Sequence, residues 1–314
     1  MSILITGANG QIGTILTKAL REKYGASTVV SSDITRPAKP GGPFVMLDIL
    51  NTQRMREIIG DFEIQQVYHL PAILSANGEW NPTKTWNVNF NGFLAMLELA
   101  RELKVSKLFF PSSIAVFGPT TPKVNTPQDV PMLPSTVYGM SKLAGENWCN
   151  YYHQKYGLDV RSLRYPGIIG HDSLPGGGTT DYAVEIFHAA VKKKRYTCFL
   201  KPDTRLPMIY MADAIRATLL LMEAPSKAIK VRYGYNLMSM SFNPAELARS
   251  IQKFVPDFEI SYKPDFRQKI AESWCQSIDD TAARSDWAWR PEYDLDKMTE
   301  EMLGHLNKNQ VQKT

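Results

Sequence analysis

A tyrosine and a lysine four residues apart are the side chains in this sequence best suited to proton transfer. Tyr138 and Lys142 stand in the segment YGMSK, at the start of a predicted helix that continues to Tyr156 and ends at Gly157. Residues four apart project from the same face of a helix, so the phenol and the ammonium can act together. A free tyrosine has a pKa of about 10, and a neighbouring positive charge favours its phenolate. Tyr138 is therefore predicted to accept a proton from an alcohol.

Two adjacent serines end a predicted strand and supply a hydroxyl for the same chemistry. Residues 108–113, LFFPSS, form an apolar run typical of a buried strand. Ligands bind at the carboxyl ends of parallel strands, and Ser112 and Ser113 stand at such an end. Either hydroxyl could hold the substrate oxygen by a hydrogen bond. Taken alone, Tyr and Lys at this spacing are usually surface residues of a helix, so the interpretation depends on cofactor-binding elements elsewhere.

Those elements begin at the start of the chain. Residues 3–5 are a short apolar run that predicts a buried strand, and Gly7, Gly10 and Gly13 follow at three-residue spacing. Apolar residues at helical spacing come next, up to a predicted C-cap at Gly25. Glycines between a strand and a helix let backbone N–H groups approach a pyrophosphate at the positive end of the helix dipole. The stretch predicts a dinucleotide phosphate site.

The second predicted strand, residues 28–33, ends in an acid. Asp33 stands about 20 residues after Gly13, where dinucleotide-binding folds place an acid on the adenosine ribose. The alternative is an ordinary turn residue, but strand, glycine turn, helix and terminal acid occur here in the expected order. A carboxylate would repel a 2′-phosphate, so NAD is predicted rather than NADP, although the nearby Arg36 leaves NADP open.

Strand and helix signals alternate through the first half of the chain. Further strands are expected at residues 44–49 and 66–74, a helix at 53–59, and a long helix after Asn81 and Pro82. Repeated strand–helix units predict an α/β fold with a doubly wound, Rossmann-type parallel sheet and right-handed crossovers.

The alternation weakens after Gly170. Residues 1–170 are therefore predicted to form an NAD-binding domain, and residues 171–314 a smaller, mostly C-terminal α/β lid that binds the substrate. A strand and a helix within residues 207–237 are expected to return to the first domain. A length of 314 residues suits such a division.

A polar, glycine-rich loop, HDSLPGGGTT, opens the lid at residues 171–180. A helix is predicted for residues 181–191, with Thr180 or Asp181 as its cap. One interpretation of the loop is a flexible connector. The other is a site for a small anion such as a carboxylate, formed by free N–H groups and threonine hydroxyls at a helix start. Of the tryptophans in the lid, Trp274 is a candidate substrate cover, whereas Trp287 and Trp289 are predicted to pack in the lid core.

Composition argues against several other classes of protein. The net charge of +5 is spread along the chain, and the run KKKR at residues 192–195 is typical of a solvated helix end, so no nucleic-acid partner is predicted. Cys149, Cys198 and Cys275 suit neither a disulfide framework nor a zinc site, so we expect no metal and a reducing cytoplasm. No apolar run approaches about 18 residues, so no membrane span is predicted, and a strand beginning at Ser2 leaves no room for a signal peptide.

Together the motifs resemble those of the extended short-chain dehydrogenases/reductases, relatives of UDP-galactose 4-epimerase. Besides Asp33 and Asp48, the resemblance is carried over most of the chain by GANGQIG, VYHLPA, NFNG, PSSIAVFG, YGMSK and LRYPGIIG. It implies that Ser113 is the catalytic hydroxyl residue, that Tyr138 is the acid/base and that Lys142 also holds the nicotinamide ribose. Ser112 becomes a neighbour that contacts the substrate.

The resemblance also implies the remaining contacts. NAD is expected to contact Tyr138 and Lys142 together with Gly7, Asn9, Gly10, Gln11, Ile12, Asp33, Asp48, Ile49, Leu70, Ala72, Asn89, Tyr165 and Ile168. The small-molecule substrate is expected to contact Ser75, Ser112, Ser113, Tyr138, Gly178, Thr179 and Thr180. Dimerisation through the helix that bears Tyr138 and its neighbour is common in the family, so a homodimer is expected.

Within this family, LPGGGTTDYAVEIF and residues 273–299 are most similar to the short-chain type of L-threonine 3-dehydrogenase. The similarity implies oxidation of the C3 hydroxyl of L-threonine to 2-amino-3-oxobutanoate, with NAD as hydride acceptor. Two alternatives stay open. A sugar-nucleotide epimerase or dehydratase would need basic groups for a diphosphate, such as Arg205. A non-catalytic NAD-sensing protein would have no need for Ser113, Tyr138 and Lys142 together.

Overall fold

A parallel β-sheet forms the centre of the computed structural model, which describes residues 2–172 and 176–311. In chain order the strands are β1 (Ile3–Thr6), β2 (Val29–Asp33), β3 (Phe44–Met46), β4 (Gln66–His69), β5 (Lys107–Ser113), β6 (Asp159–Tyr165), β7 (Gly167–Ile169), β8 (Arg195–Cys198), β9 (Leu206–Tyr210), β10 (Tyr235–Asn236), β11 (Met240–Phe242) and β12 (Glu259–Tyr262). Seven of them pair in parallel in the order β10-β6-β5-β4-β1-β2-β3. This doubly wound order confirms the predicted α/β fold and places ligands outside the carboxyl ends of the strands near β1.

Helices cover both faces of this sheet. In chain order the helices of the protein are α1 (Gln11–Tyr24), α2 (Thr52–Asp61), α3 (Ser75–Gly78), α4 (Pro82–Trp86), α5 (Gly92–Glu102), α6 (Val137–Tyr156), α7 (Tyr182–Lys193), α8 (Met211–Glu223), α9 (Pro244–Gln252), α10 (Arg267–Ser273), α11 (Thr281–Trp287) and α12 (Leu295–Val311). Those that cover the sheet are α1 and α8 on one face and α2, α5 and α6 on the other. Ile3 and Ile5 of β1 pack in one core with α1 and α8, whereas Leu4 packs in another with α2, α5 and α6. A strand buried on both faces has a continuous apolar run, which is the pattern of residues 3–5.

Several helix ends lie where the sequence predicts them. Gly25 follows α1 with φ 93°, and Gly157 follows α6 with φ 69°, a left-handed conformation that glycine adopts without strain. The Asn81 side chain caps α4 by accepting a hydrogen bond of 3.1 Å from the backbone N–H of Lys84. A π-helical segment, Asn87–Asn91, joins α4 to α5, so the predicted long helix is present with one irregular turn.

Two strands end earlier than predicted. Strands were expected over residues 44–49 and 66–74, but β3 and β4 stop at Met46 and His69. Leu70, Ala72 and Leu74 line a cleft beside the sheet instead of extending it. Burial in a ligand cleft and burial in a strand produce the same apolar pattern, which is why this part of the prediction was wrong.

The later part of the chain builds two smaller sheets. In one, β9 pairs in parallel with β7 and antiparallel with β11, and in the other β8 pairs in parallel with β12. Within the segment 207–237, α8 packs in the same core as α1, and β10 pairs with β6 at the edge of the large sheet. The other strand of that segment, β9, lies in a smaller sheet. The domain limits at residues 170 and 171 stay a prediction.

The tryptophans of the lid segment pack in two different cores. Trp274 belongs to a core built mainly from α7, α9 and α12. Trp287 and Trp289 were predicted to lie in that same core, but they pack with residues of α1 and α8 and with Tyr235, whose ring centroid lies 5.8 Å from that of Trp287. The prediction failed because an apolar ring shows burial but not which of two adjoining cores takes it.

The three cysteines, Cys149, Cys198 and Cys275, are free and buried. Across residues 2–172 and 176–311, no group of three or more His, Cys, Asp or Glu side chains is arranged to hold a metal ion. In the same part of the chain, none of the helices combines the length and the apolar composition needed to span a bilayer.

Replacing Gly145 by alanine is expected to destabilise the protein. A Cβ at this position of α6 would overlap the ring of Phe110 on β5, and that ring is held by stacking on Phe93 with centroids 4.0 Å apart. Because overpacking a core costs roughly 1–3 kcal/mol, urea unfolding should show a loss of that size for Gly145→Ala. The control is Gly60→Ala in α2, where the new Cβ meets nothing within 4 Å. Equal stability of the two variants would contradict the close packing of α6 on β5.

Candidate active site

A cleft of about 140 Å³ lies beside the carboxyl ends of β4, β5 and β6. Predicted site residues from both parts of the chain line it, namely Gln11, Ile12, Leu70, Ala72, Ser75, Ser112, Ser113, Tyr138, Lys142, Tyr165, Ile168, Gly178, Thr179 and Thr180. The remaining predicted residues, which lie outside the lining of this cleft, are Gly7, Asn9, Gly10, Asp33, Asp48, Ile49 and Asn89. The fold therefore assembles the proposed chemical residues in one place, with the glycine turn adjoining them.

Helix α6 brings Tyr138 to Ser113. The hydroxyl of Thr136 caps the helix by accepting a hydrogen bond of 3.0 Å from the backbone N–H of Gly139. A Cβ on Gly139 would overlap the carbonyl oxygen of Ala115, so the start of α6 approaches the end of β5 closely only because glycine stands there. In this arrangement the Ser113 hydroxyl lies near enough to Tyr138 to act on its pKa.

Burial acts on both members of the tyrosine–lysine pair. It raises the pKa of Tyr138 to about 12, against the opposing effect of the Ser113 hydroxyl. It lowers the pKa of Lys142 to about 7. The Lys142 Nζ lies 5.6 Å from the centroid of the Tyr138 ring and 4.8 Å from that of Phe110. Both shifts favour the uncharged side chains, so a Tyr138 phenolate needs a positive charge close by, and protonated Lys142 supplies one.

The turn between β1 and α1 has room for a pyrophosphate. Gly7 has φ 72°, and a Cβ on it would lie 2.9 Å from the backbone nitrogen of Pro71. A Cβ on Gly13 would overlap the carbonyl oxygen of Gly7. Gly10 stands at the N-cap of α1 and has no side chain to cap the first turn, as serine or aspartate would. The helix start is thus suited to an external anion.

Asp33 is fixed beside this turn by backbone donors. Its Oδ2 accepts a hydrogen bond of 3.0 Å from the N–H of Asn9, and its Oδ1 accepts one of 2.8 Å from the N–H of Ile34. Each carboxylate oxygen keeps a further lone pair for a ribose hydroxyl. Asn9 is held in turn, because its side-chain amide donates to the carbonyl of Thr35 at 2.6 Å. This position and these partners fit the predicted role of Asp33.

Other predicted cofactor contacts have partners inside the protein. The Oδ1 of Asp48 accepts from the N–H of Leu50 at 2.9 Å. The side-chain amide of Asn89 exchanges two hydrogen bonds with the backbone of Ile73, at 2.8 and 3.0 Å, and so fixes the segment after β4. The hydroxyl of Tyr165 is hydrogen-bonded to Thr218. For Asn89 the structure shows a supporting role for the cleft wall, and its predicted contact with NAD stays a prediction.

The glycine-rich loop carries its own carboxylate. The Oδ2 of Asp181 accepts hydrogen bonds from the N–H groups of Gly177 and Gly178, at 2.8 and 2.7 Å. Asp181 is the N-cap residue of α7, as predicted, but its side chain makes no capping hydrogen bond to that helix. An acid placed so soon after paired glycines can turn back to their free N–H groups instead. Burial raises the pKa of Asp181, and its two N–H donors oppose the shift. Residues 173–175 of the loop lie outside the described residues.

Hydroxyl groups from both parts of the chain meet at the loop. The Oγ of Ser75 and the Oγ1 of Thr179 are 3.0 Å apart and hydrogen-bonded. The side-chain amide of Asn77 donates to the carbonyl of Gly176 at 3.2 Å. Thr180 also lines the cleft. The loop is therefore tied to α3, and it presents hydroxyls to the cleft while the N–H groups of Gly177 and Gly178 are engaged.

Sequence reasoning did not find Lys123, which positions Trp274. The Lys123 ammonium donates to the carbonyl oxygens of Glu272, Ser273 and Trp274, at 3.0, 2.9 and 3.1 Å. A cation at these last carbonyls of α10 stabilises the end of the helix. Trp274 is buried and lines the cleft, as expected of a substrate cover. No sequence signal links a lysine to carbonyl groups so far along the chain.

Arg205, the candidate diphosphate group, is engaged elsewhere. It donates to the carbonyl of Ser241 at 2.7 Å and forms an ion pair with Glu246. It is also not among the described residues that line the cleft. A diphosphate would have to displace this ion pair before it could bind Arg205.

Comparison with known proteins identifies the family of this chain. The NAD dependent epimerase/dehydratase family matches residues 3–237. An uncharacterized epimerase/dehydratase of Staphylococcus aureus is 47% identical, over 96% of this chain and 95% of the relative. The holo form of a GalE-like L-threonine dehydrogenase from Cupriavidus necator has a TM-score of 0.96 and 52% identity, over 98% of this chain and 100% of that one. A monomeric L-threonine 3-dehydrogenase from a metagenome has a TM-score of 0.96 and 50% identity, over 98% of this chain and 99% of that one. The protein therefore belongs to the NAD-dependent epimerase/dehydratase family, and its cofactor is NAD.

Proposed function

We propose that this protein oxidises the C3 hydroxyl of L-threonine to 2-amino-3-oxobutanoate and passes the hydride to NAD. The observation that carries the proposal is a cleft of about 140 Å³ that brings Ser113, Tyr138 and Lys142 together with the hydroxyls of Thr179 and Thr180. Ligand pockets commonly reach about 300 Å³ or more, so this cleft suits a small substrate. The L-threonine dehydrogenases of similar structure, at 50% and 52% identity, support the same assignment.

NAD would be held by the glycine turn at Gly7 and Gly10 and by the carboxylate of Asp33, and when bound it supplies the hydride acceptor. Ser113 would orient the substrate oxygen by a hydrogen bond. Tyr138 would take the proton of that hydroxyl, because its phenolate is stabilised by protonated Lys142. These roles use Ser113 beside Tyr138 and the protonated form of Lys142, whose Nζ lies 5.6 Å from the centroid of the Tyr138 ring.

The substrate carboxylate would bind the hydroxyls of Ser75, Thr179 and Thr180. This refines the prediction from the sequence, because Asp181 already occupies the N–H groups of Gly177 and Gly178. Hydroxyls can donate to a carboxylate, and burial of Ser75 and Thr179 strengthens such bonds. Sugar-nucleotide chemistry is less well supported, since Arg205 is paired with Glu246. The expected homodimer and cytoplasmic location stay predictions.

Removing the Asp33 carboxylate should change the cofactor preference. Asp33→Ala eliminates the acceptor for the ribose hydroxyls and the negative charge that repels a 2′-phosphate, so binding of NAD should weaken and binding of NADP should improve relative to it. Dissociation constants for both cofactors, measured by fluorescence titration, test this. Unchanged constants for the two cofactors would show that Asp33 does not contact the ribose.

Tyr138→Phe should abolish proton transfer while the ring remains in place. Turnover should fall by about 100-fold or more at every pH, the usual size of a general acid–base effect, and NAD binding should be nearly unchanged. In the wild type the rate should fall at low pH, where Tyr138 keeps its proton, and should fall again as the pH rises through the lowered pKa of Lys142, about 7, because the ammonium that stabilises the phenolate is then lost. The control is Tyr151→Phe, an exposed position on the same helix. Near-normal turnover of Tyr138→Phe would place the base elsewhere.

Substrate analogues should show whether the enzyme recognises a substrate carboxylate at the proposed hydroxyl site. L-Serine should react more slowly than L-threonine, because a lost methyl contact is worth about 1–3 kcal/mol, and L-threonine amide should fail for lack of a carboxylate. Thr179→Ala and Thr180→Ala should raise KM for L-threonine more than they lower kcat. Thr197→Ala, at an exposed position on β8, is the control. Equal rates for threonine and its amide, or turnover of a UDP-sugar but not of threonine, would refute the proposal.

A further inference from the structure

Below the cleft, a buried ion pair connects the helix of Tyr138 to the sheet. Glu146 of α6 and Arg164 of β6 are both fully buried, with Nη2 to Oε2 at 2.8 Å and Nε to Oε1 at 2.9 Å. Glu146 follows Tyr138 and Lys142 at four-residue steps, so the three side chains lie on one face of the helix. A buried ion pair of this kind is stable only when its remaining donors and acceptors are also satisfied.

Ser112 supplies one of those remaining partners. Its hydroxyl donates to the Oε1 of Glu146 at 2.5 Å. Because the carboxylate of Glu146 is paired with Arg164, it can only accept, and the single hydroxyl hydrogen of Ser112 is committed to it. Ser112 also lines the cleft. Its oxygen can therefore accept a hydrogen bond from a ligand but cannot donate one.

The surroundings hold this arrangement before any ligand binds. A Cβ on Gly234 would lie 2.6 Å from the Oε1 of Glu146, so the chain closes tightly over the carboxylate. The Nη1 of Arg164 donates to the carbonyl of Gln128 at 2.8 Å and to the Oδ1 of Asn236 at 3.0 Å. Neither member of the pair has room or free partners for another orientation. The pair has no net charge, so its influence on a ligand comes through the direction of the Ser112 hydroxyl.

We propose that Glu146 is a positioning residue that makes Ser112 an acceptor for the protonated amine of the substrate. The inference rests on the proposed function and narrows its substrate class to alcohols that carry a neighbouring ammonium group. A substrate without a donor at this place would leave the buried oxygen of Ser112 without a partner, which is unfavourable. An ammonium group would instead donate a charge-assisted hydrogen bond to this oxygen, which is stronger than a bond between neutral groups. Selectivity for the amine would thus originate in the direction of the Ser112 hydroxyl, which Glu146 and Arg164 fix.

Dead-end inhibitors test the role of Ser112 directly. L-2-Aminobutanoate and butanoate both keep the carboxylate and lack the hydroxyl, so neither is oxidised, and they differ only in the amine. With NAD present, Ser112→Ala should raise the inhibition constant of L-2-aminobutanoate by at least about 10-fold, the size expected for a bond to a charged group. The constant for butanoate should change little. The matched control is Ser162→Ala, which removes a buried hydroxyl on β6 that has no partner among the described residues.

The pH dependence of inhibition gives a second readout. In the wild type, L-2-aminobutanoate should bind more weakly as the pH rises and its ammonium group loses a proton. This dependence should be smaller in Ser112→Ala, even if butanoate inhibits too weakly to measure. Equal effects of Ser112→Ala on both inhibitors, no effect on either, or a wild-type pH dependence retained in full would overturn the proposal.

Two substitutions test Glu146: one shortens its side chain, and the other removes its charge. Glu146→Asp keeps a carboxylate opposite Arg164 but shortens it away from Ser112, and should weaken L-2-aminobutanoate selectively, as Ser112→Ala does. Glu146→Gln should act in the same direction, because its amide can donate to Ser112 and occupy the oxygen. If Glu146→Gln does not fold, Glu146→Asp still tests the role of Glu146. A folded Glu146→Asp with wild-type inhibition constants would overturn the role of Glu146.

Turnover of L-threonine by the wild type separates the two proposals. No turnover of L-threonine would refute the proposed function itself. Turnover of L-threonine by the wild type, together with variants of Ser112 and Glu146 that do not distinguish the two inhibitors, would refute this inference alone.

Discussion

The close approach of α6 to β5 determines the geometry of the whole site. Two glycines permit it, Gly139 against the carbonyl of Ala115 and Gly145 against the ring of Phe110. A larger residue at either position would move the helix away from the strand, and Tyr138 would move away from Ser113. Catalytic groups must be held within fractions of an ångström, so this backbone contact matters more than any single polar bond in the cleft.

One face of α6 carries two buried charge systems with opposite properties. Glu146 and Arg164 are paired and surrounded by further hydrogen-bond partners, so their positions are fixed. Tyr138 and Lys142 lack such compensation, and burial moves the pKa of each toward its neutral form. The first system fixes orientation, and the second can change its protonation during a reaction. Because Glu146 lies on the same helix face as Tyr138 and Lys142, its ion pair with Arg164 also helps to hold these two side chains in position.

Local patterns predicted the features that depend on neighbours in the chain. The buried strand β1, the glycine turn, the acid at Asp33 and the helix from Tyr138 to Gly157 all follow from short-range spacing. The features that were missed depend on contacts between distant segments, such as Lys123 at the end of α10 or the ion pair of Glu146. The orientation of Asp181 was missed although it is local, since a helix cap and a bond to preceding N–H groups need the same residue type.

The edge strand β10 has a consequence for the order in which the protein can form during synthesis. It comes from residues 235–236, yet it completes the large sheet beside β6. Its Asn236 also holds Arg164, whose charge is fully buried. A nascent chain that has reached only residue 170 therefore contains the strands for NAD but lacks Asn236, one of the three partners of this buried cation. The two predicted domains are not separable modules, because the first reaches its final structure only after much of the second has been made.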